Sequence, residues 1–422
     1  MVRAVDPNRF TLLREPLMPF QRTQLIQTLI PTLLTPLYPS NQPPITAMSD
    51  PSTTQVPEIT ADELQTALDR SEHVHILDVR PREQYESWHV PGSRHVGGYE
   101  ALKEGRGDIY EDLSVPDGAP VVTVCGAGKT SREAARQLRM RGVDAYSLTG
   151  GLRAWTFAWN TATTRFPGAN ATVVQVRRTG KGCLSYLVGS GDEALVADPA
   201  LAPEVYEQQA ADHGWTITGV LDTHIHADHL SRARRVADTT GATLYLPEQE
   251  RVSFDHVPLE GGNTLGVGKA TVEVLHTPGH TPESTTYRLG DEALFTGDTL
   301  FLEGVGRPDL DAGAEQGRQK ARQLHRSLQR LAQLPDDLAV LPGHASEPIP
   351  FDDEIVGAPL GTVKSEIEAQ QESEERFVGR VTEDVPPTPP NHETVITANT
   401  TGDWPTGDVV DLEAGGNRCA VG

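Results

Sequence analysis

The chain is 422 residues long, with 37% hydrophobic residues and a formal net charge of -23. A domain runs to roughly 100–200 residues, so this length excludes one ordinary core and predicts two or three units. The acid excess argues against nucleic acid as a partner, because binding phosphates needs a basic surface, and no apolar run of about 18 residues marks a membrane span.

The basic residues are mostly arginine. Acid excess with little lysine resembles proteins of salt-loving cytoplasms, where screening weakens self-repulsion; an ordinary acidic cytosolic enzyme is the plainer alternative. The three cysteines, Cys125, Cys183 and Cys419, are odd in number and far apart. A disulfide framework is not expected, and a reducing cytoplasm fits.

In chain order, residues 1–56 read as a disordered leader with several Pro and Thr, and Met48-Ser49-Asp50 looks like a natural start. Residues 57–158 alternate strands and helices. Thr60 with Glu63 three residues on predicts a capped helix. Val74 to Asp78 and Val121 to Val124 read as buried strands, each followed by a loop and a helical segment, which implies a parallel sheet. Residues 159–170, rich in Asn, Thr, Pro and Gly, read as a linker. A second unit over 171–378 opens with strand-like runs and includes a long helix from Ala314 to Gln333. Residues 379–422 begin Pro-rich and read as an extended tail lying on that unit. No internal repeat is present.

Cys125-Gly126-Ala127-Gly128-Lys129-Thr130-Ser131-Arg132 lies between a strand and a helix predicted to start near Ser131. Glycines let successive N–H groups curl around a sulfur, and the helix N-terminus with Lys129 and Arg132 would stabilise a thiolate nucleophile. Two alternatives stand beside this. A nucleotide loop needs Gly at position 123, which is Thr; an inert buried Cys is the other. Asp78-Val79-Arg80, His89-Val90-Pro91-Gly92-Ser93, the Cys125 loop and Gly150-Gly151-Leu152-Arg153-Ala154-Trp155 come in an order that resembles the rhodanese family across the whole segment. The resemblance implies an α/β domain with a parallel sheet and helices on both faces. It also implies that Cys125 carries a persulfide sulfur within the loop Gly126, Ala127, Gly128, Lys129 and Thr130, and that Asp78 and Arg80 hold this loop by hydrogen bonds and charge.

Ile217 to Asp222 reads as a strand, followed at once by His224, His226, Asp228 and His229. In extended chain, i and i+2 side chains point the same way, so His224 and His226 can face one metal. Asp228 and His229 face a neighbouring position. His280, Asp298 and His344 each end an apolar run and are further candidate ligands, since clustered imidazoles and carboxylates suit a metal. Isolated His75, His213 and His256 read as surface or core groups. The order His-x-His-x-Asp-His, His280, Asp298, His344 resembles the metallo-β-lactamase superfamily, which implies an αββα sandwich after the rhodanese-like domain.

Two subfamilies fit that resemblance. Persulfide dioxygenases bind one Fe(II) per chain, here through His224, His280 and Asp298, with His226, Asp228, His229 and His344 behind them. Hydroxyacylglutathione hydrolases (glyoxalase II) use two Zn(II) held by all seven. Gly304-Val305-Gly306-Arg307-Pro308-Asp309-Leu310 is close to the Gly-Arg-Thr-Asp segment of the dioxygenases. Pro308 in place of Thr, Leu341 in place of Tyr, and a rhodanese domain placed first depart from their pattern. The dioxygenase reading implies a low-molecular-weight persulfide and dioxygen as substrates, with sulfite or a thiol as sulfur acceptor. It gives Arg307 a substrate carboxylate, against a competing ion pair with Asp309. A sulfur-binding sensor with an idle metal site is a third reading. Self-association is left open. Cys183 reads as core, and Cys419 as an exposed, idle tail residue.

Overall fold

The computed structural model describes residues 56–421 except 107–108, 111–112, 116–117, 311, 368–371, 384, 386, 390 and 418. The leader expected over 1–56, with its Met48 start, lies outside the described residues but for the last. The first helix, Ala61–Asp69, opens on the expected capping box: Glu63 N donates to Thr60 Oγ1 at 3.2 Å, and Thr60 N donates to the Glu63 carboxylate at 2.8 Å. Strands His75–Asp78 and Val121–Val124 are buried at nearly every position because helices cover both faces of their sheet. The sheet is parallel throughout, in the order Glu58–Ile59, Ala145–Leu148, Val121–Val124, His75–Asp78, Arg94–His95. Helix Lys129–Met140 starts two residues ahead of Ser131 and buries Ala134, Ala135 and Leu138 on this sheet.

The stretch expected as a linker is mostly a strand. Asn160–Phe166 pairs antiparallel with Ala171–Arg178 from Asn160↔Arg177 to Phe166↔Ala171. Its threonines suit a half-buried pleat, and the turn signals belong only to Pro167, Gly168 and Asn170, where Asn170 N donates to Pro167 O at 3.1 Å.

That strand is the edge of a seven-stranded sheet, which faces a six-stranded one. Val173, Tyr186, Val188, Leu195, Val272, Tyr287 and Phe295 fill the space between them. Helices Pro203–His213 and Ala233–Thr240 cover one outer face, and Ala314–Leu331 with Glu374–Glu383 cover the other. These four layers are helix, sheet, sheet, helix.

The expected extended tail is folded instead. Helix Glu374–Glu383 runs across residue 379, helices His392–Thr401 and Val410–Glu413 follow, and Ala420–Val421 pairs with Val305–Gly306. The Pro-rich stretch only separates two helices. Val395 and Ala398, three residues apart on one helix face, bury against Leu230 beside the metal-ligand loop. The two domains touch directly: Trp88 Nε1 donates to Thr179 O at 3.1 Å, and the Trp155 and Phe351 rings lie 6.0 Å apart. Gly182, at φ 98°, has no room for a side chain, because a Cβ would sit 2.7 Å from the Trp88 ring. Among the described residues, no helix is long and apolar enough to cross a membrane.

Candidate metal centre

Strand ends deliver the candidate ligands to one edge of the sandwich. Thr216–Leu221 gives way to an irregular loop over residues 222–230 that holds His224, His226, Asp228 and His229. His280 lies in the turn between Ala270–His276 and Thr285–Leu289. Strands Ala293–Gly297 and Ala339–Pro342 are parallel neighbours, so Asp298 and His344 emerge side by side.

Among the described residues three buried donor groups result, each with ligand atoms within 4.8 Å of one another: His224, His280 and Asp298; Cys183, Asp228, His229 and His344; Asp198, Asp222 and His226. In the first, His224 Nε2 and His280 Nε2 lie 3.9 and 3.8 Å from Asp298 Oδ2. Among the described residues, His224 Nε2 and Asp298 Oδ2 are buried without a hydrogen-bond partner. Leaving such atoms unpaired costs about 1–3 kcal/mol each. The tautomers are fixed behind them. His280 Nδ1 donates to Arg307 O at 2.8 Å. Thr223 Oγ1 gives its proton to Asp198 and so accepts from His224 Nδ1 at 2.9 Å. Both Nε2 atoms therefore present lone pairs, and two imidazoles with one carboxylate fit a divalent cation.

The second group is tied together internally. His344 Nδ1 meets Asp298 Oδ1 at 2.7 Å, its Nε2 meets Asp228 Oδ2 at 3.0 Å, and His229 Nδ1 meets Asp228 Oδ1 at 3.0 Å. In the third, His226 Nε2 lies 3.2 Å from Asp198 Oδ1. Burial and the neighbouring His226 and His280 hold His224 well below the ordinary imidazole range, which keeps it neutral as a ligand must be. Burial would lower His344 too, but Asp298 and Asp228 outweigh it and raise it well above that range. Burial would raise Asp298, and His344 outweighs it and holds the carboxyl low.

The thiol loop stands in the first domain. Cys125 is buried and its Sγ lies 3.3 Å from Ser131 Oγ, which meets Ser147 Oγ at 2.9 Å. Gly126, Ala127 and Lys129 are exposed around it, and Gly128 and Thr130 half-buried. Gly128 takes φ 82° and must be glycine, because a Cβ would lie 2.9 Å from Gly150 N. Leu152 N and Arg153 N donate to Cys125 O and Gly126 O. Arg132 pairs with Glu58 at 3.3 Å. Asp78 and Arg80 pair with each other at 2.6 Å, and Arg80 donates to Trp88 O.

A family model for the rhodanese-like domain matches residues 60–158, and one for the metallo-beta-lactamase superfamily matches residues 178–344. The chain carries a rhodanese-like domain followed by a metallo-β-lactamase superfamily domain. Hydroxyacylglutathione hydrolase of Methylobacillus flagellatus is 38% identical over 161 residues, 38% of this chain and 60% of that protein. The enzyme of the same name from Methylococcus capsulatus is 38% identical over 159 residues, 37% and 58%. The chain thus spans about 60% of the length of these curated relatives. Among solved structures, a metallo-beta-lactamase from Staphylococcus aureus subsp. aureus COL is 28% identical with TM-score 0.48, over 58% of this chain and 73% of that one. ETHE1 from Myxococcus xanthus is 29% identical with TM-score 0.47, over 58% and 99%.

Within the metallo-β-lactamase domain two expected roles are corrected. Arg307 does not face a substrate: its side chain is fully buried and bidentate on Asp309 at 2.7 and 2.8 Å. Cys419 is buried, not exposed, because the tail strand packs it against Ala227, Phe301 and Leu310. Three residues of the donor groups were missed. Cys183 is core as expected, yet its Sγ lies 3.7 Å from Asp228 Oδ2 and 3.8 Å from His229 Nδ1. Burial would raise that thiol, but His229 outweighs it and brings it to about 6. Asp198 and Asp222 each stand at the end of a strand, the one positional signal they carry.

Proposed function

We propose that the chain is an Fe(II)-dependent persulfide dioxygenase, oxidising a low-molecular-weight persulfide to sulfite and thiol. In this reading the rhodanese-like domain moves sulfane sulfur between that pool and sulfite or thiol acceptors. The observation that carries it is the presence, in one chain, of a thiol loop and a buried two-His, one-Asp group in which, among the described residues, His224 Nε2 and Asp298 Oδ2 lack partners. A sulfur carrier serves a neighbour that handles sulfur. The reaction balances: a persulfide, one dioxygen and one water give thiol, sulfite and two protons. The sulfane sulfur loses four electrons, and dioxygen gains them.

His224, His280 and Asp298 would hold one Fe(II), which would supply electrons for the reduction of dioxygen. Thr223 and the Arg307 carbonyl fix the two imidazoles. His344 binds Asp298 Oδ1, which leaves Oδ2 for the cation. Ala227, Phe301, Leu310 and Cys419 make an apolar wall beside them that limits water.

A binuclear zinc thioesterase is the second reading, and a different observation favours it. His226 Nδ1 and His229 Nε2 are also buried without partners among the described residues, and the curated relatives above are named hydroxyacylglutathione hydrolases. Metal analysis with parallel assays of dioxygen uptake on glutathione persulfide and hydrolysis of a glutathione thioester separates the two. One iron with uptake and sulfite release supports the proposal. Two zinc ions with thioester hydrolysis and no uptake replace it, and intact metal with neither activity leaves a sensor.

A further inference from the structure

Besides a cavity that touches His344, two cavities lined by described residues touch the group of His224, His280 and Asp298, and both are lined by Ile225. They differ in charge. The larger, about 240 Å³, touches His224 and His226 and sets four acids, Asp222, Asp238, Glu283 and Asp403, against Arg234 and Arg235. Arg235 stacks on Trp404, 3.4 Å from the ring centroid. The smaller, about 140 Å³, touches His280 and is lined by Arg251 and Lys320, with no acid among its described lining residues.

An ionised persulfide is an anion, and a chain of net charge -23 repels anions unless cations focus them locally. The acidic cavity opposes such a substrate; the basic one attracts it. We propose that the cavity beside His280 is the substrate subsite, and that Arg251 binds the carboxylate of a small, amino-acid-sized anionic persulfide there. This rests on the dioxygenase reading above. Arg251 stands at the mouth, its side chain about one-third exposed (34%), with Glu283 Oε2 at 3.9 Å behind it. Lys320 is buried deeper, its Nζ donating to Leu310 O at 2.9 Å. Ligand pockets usually hold about 300–1,000 Å³, so this one takes the cysteinyl unit and leaves a longer peptide outside.

Dioxygen uptake by the iron-loaded full chain tests this with cysteine persulfide, cysteamine persulfide, which lacks the carboxylate, and the larger glutathione persulfide. Arg251→Met is expected to raise KM for cysteine persulfide about 10-fold, the lower end for a charge-assisted contact at a part-exposed site. Its kcat, and its KM for cysteamine persulfide, stay unchanged, and Arg251→Lys recovers part of the loss. The wild type is expected to favour cysteine persulfide over glutathione persulfide in kcat/KM. Equal KM changes for both small substrates, or none, overturn the assignment. A second readout needs no turnover: S-methylcysteine raises the wild-type melting temperature, S-methylcysteamine does not, and the difference vanishes in Arg251→Met. Should the wild type consume no dioxygen with any persulfide, the dioxygenase reading fails, and the melting shifts alone decide the carboxylate subsite.

Discussion

Replacing Glu413 by alanine removes a carboxylate that faces two buried guanidiniums. Glu413 is fully buried; it accepts from Arg178 at 2.6 Å and Arg232 at 2.9 Å, and Leu230 N approaches it at 3.4 Å. Breaking a buried pair by truncating one partner costs about 3–5 kcal/mol, because the other charge is left without compensation. Two arginines are stranded here, so Glu413→Ala belongs near the top of that range. For a domain of this size each kcal/mol moves the melting temperature by about 2–4 °C, which gives a fall of roughly 10–20 °C. Glu413→Gln keeps an acceptor oxygen and is expected to lose about half as much. Burial would raise the Glu413 carboxyl, but Arg178 and Arg232 outweigh it and hold it below the ordinary range. Its stabilisation is therefore complete above about pH 4.3, the value of a free glutamate, and is lost as pH falls through the lower folded value. Calorimetric melting from about pH 2 to 8 should show a constant gap between wild type and Glu413→Gln above about pH 4.3 that narrows as pH falls below it. A fall of under about 1 kcal/mol for Glu413→Ala would falsify the clamp, since that is the scale of an exposed pair.

The remaining expectations concern the two sites and their contact. Cys125→Ser should abolish sulfur transfer to sulfite or thiol and leave dioxygen uptake intact; loss of both activities would show that the sites are not independent. Asp298→Ala should bind less metal by elemental analysis. It should also destabilise the metallo-β-lactamase domain by about 3 kcal/mol, because it strips a carboxylate from buried His344. Arg153, which meets Asp408 at 2.6 Å and Asp411 at 2.5 Å on the surface, should be dispensable. Arg153→Ala is expected to melt with the wild type, most closely at high salt, and a clear drop there would mean that the contact organises the interface. Cys183 and Cys419 should resist alkylation in the native protein and react on unfolding, as mass spectrometry of the labelled chain would read out.

How far the sequence could be read depended on the range of each interaction. The Thr60–Glu63 box was legible because both partners lie within one turn. The His224 to His229 cluster was legible because its spacing is local, and the strand before it marked where it would emerge. Asn160–Phe166 was misread because its composition is that of a loop, and only pairing with Ala171–Arg178 makes it a strand. The tail was misread for a similar reason: Val395 and Ala398 become a helix face only when Leu230 is there to bury them.

By itself, then, the sequence determined the two domains, the thiol loop and the ligand types, since these follow from periodicity, turn chemistry and short spacings. Tertiary structure alone decided which candidate ligands are brought together, that Cys183 and Asp198 stand among them, and that Glu413 is placed to neutralise Arg178 and Arg232. Those partners lie tens to hundreds of residues apart, and nothing local encodes such distances. Burial supplies the reason they meet: a charge or lone pair taken out of water needs a partner wherever the fold can provide one.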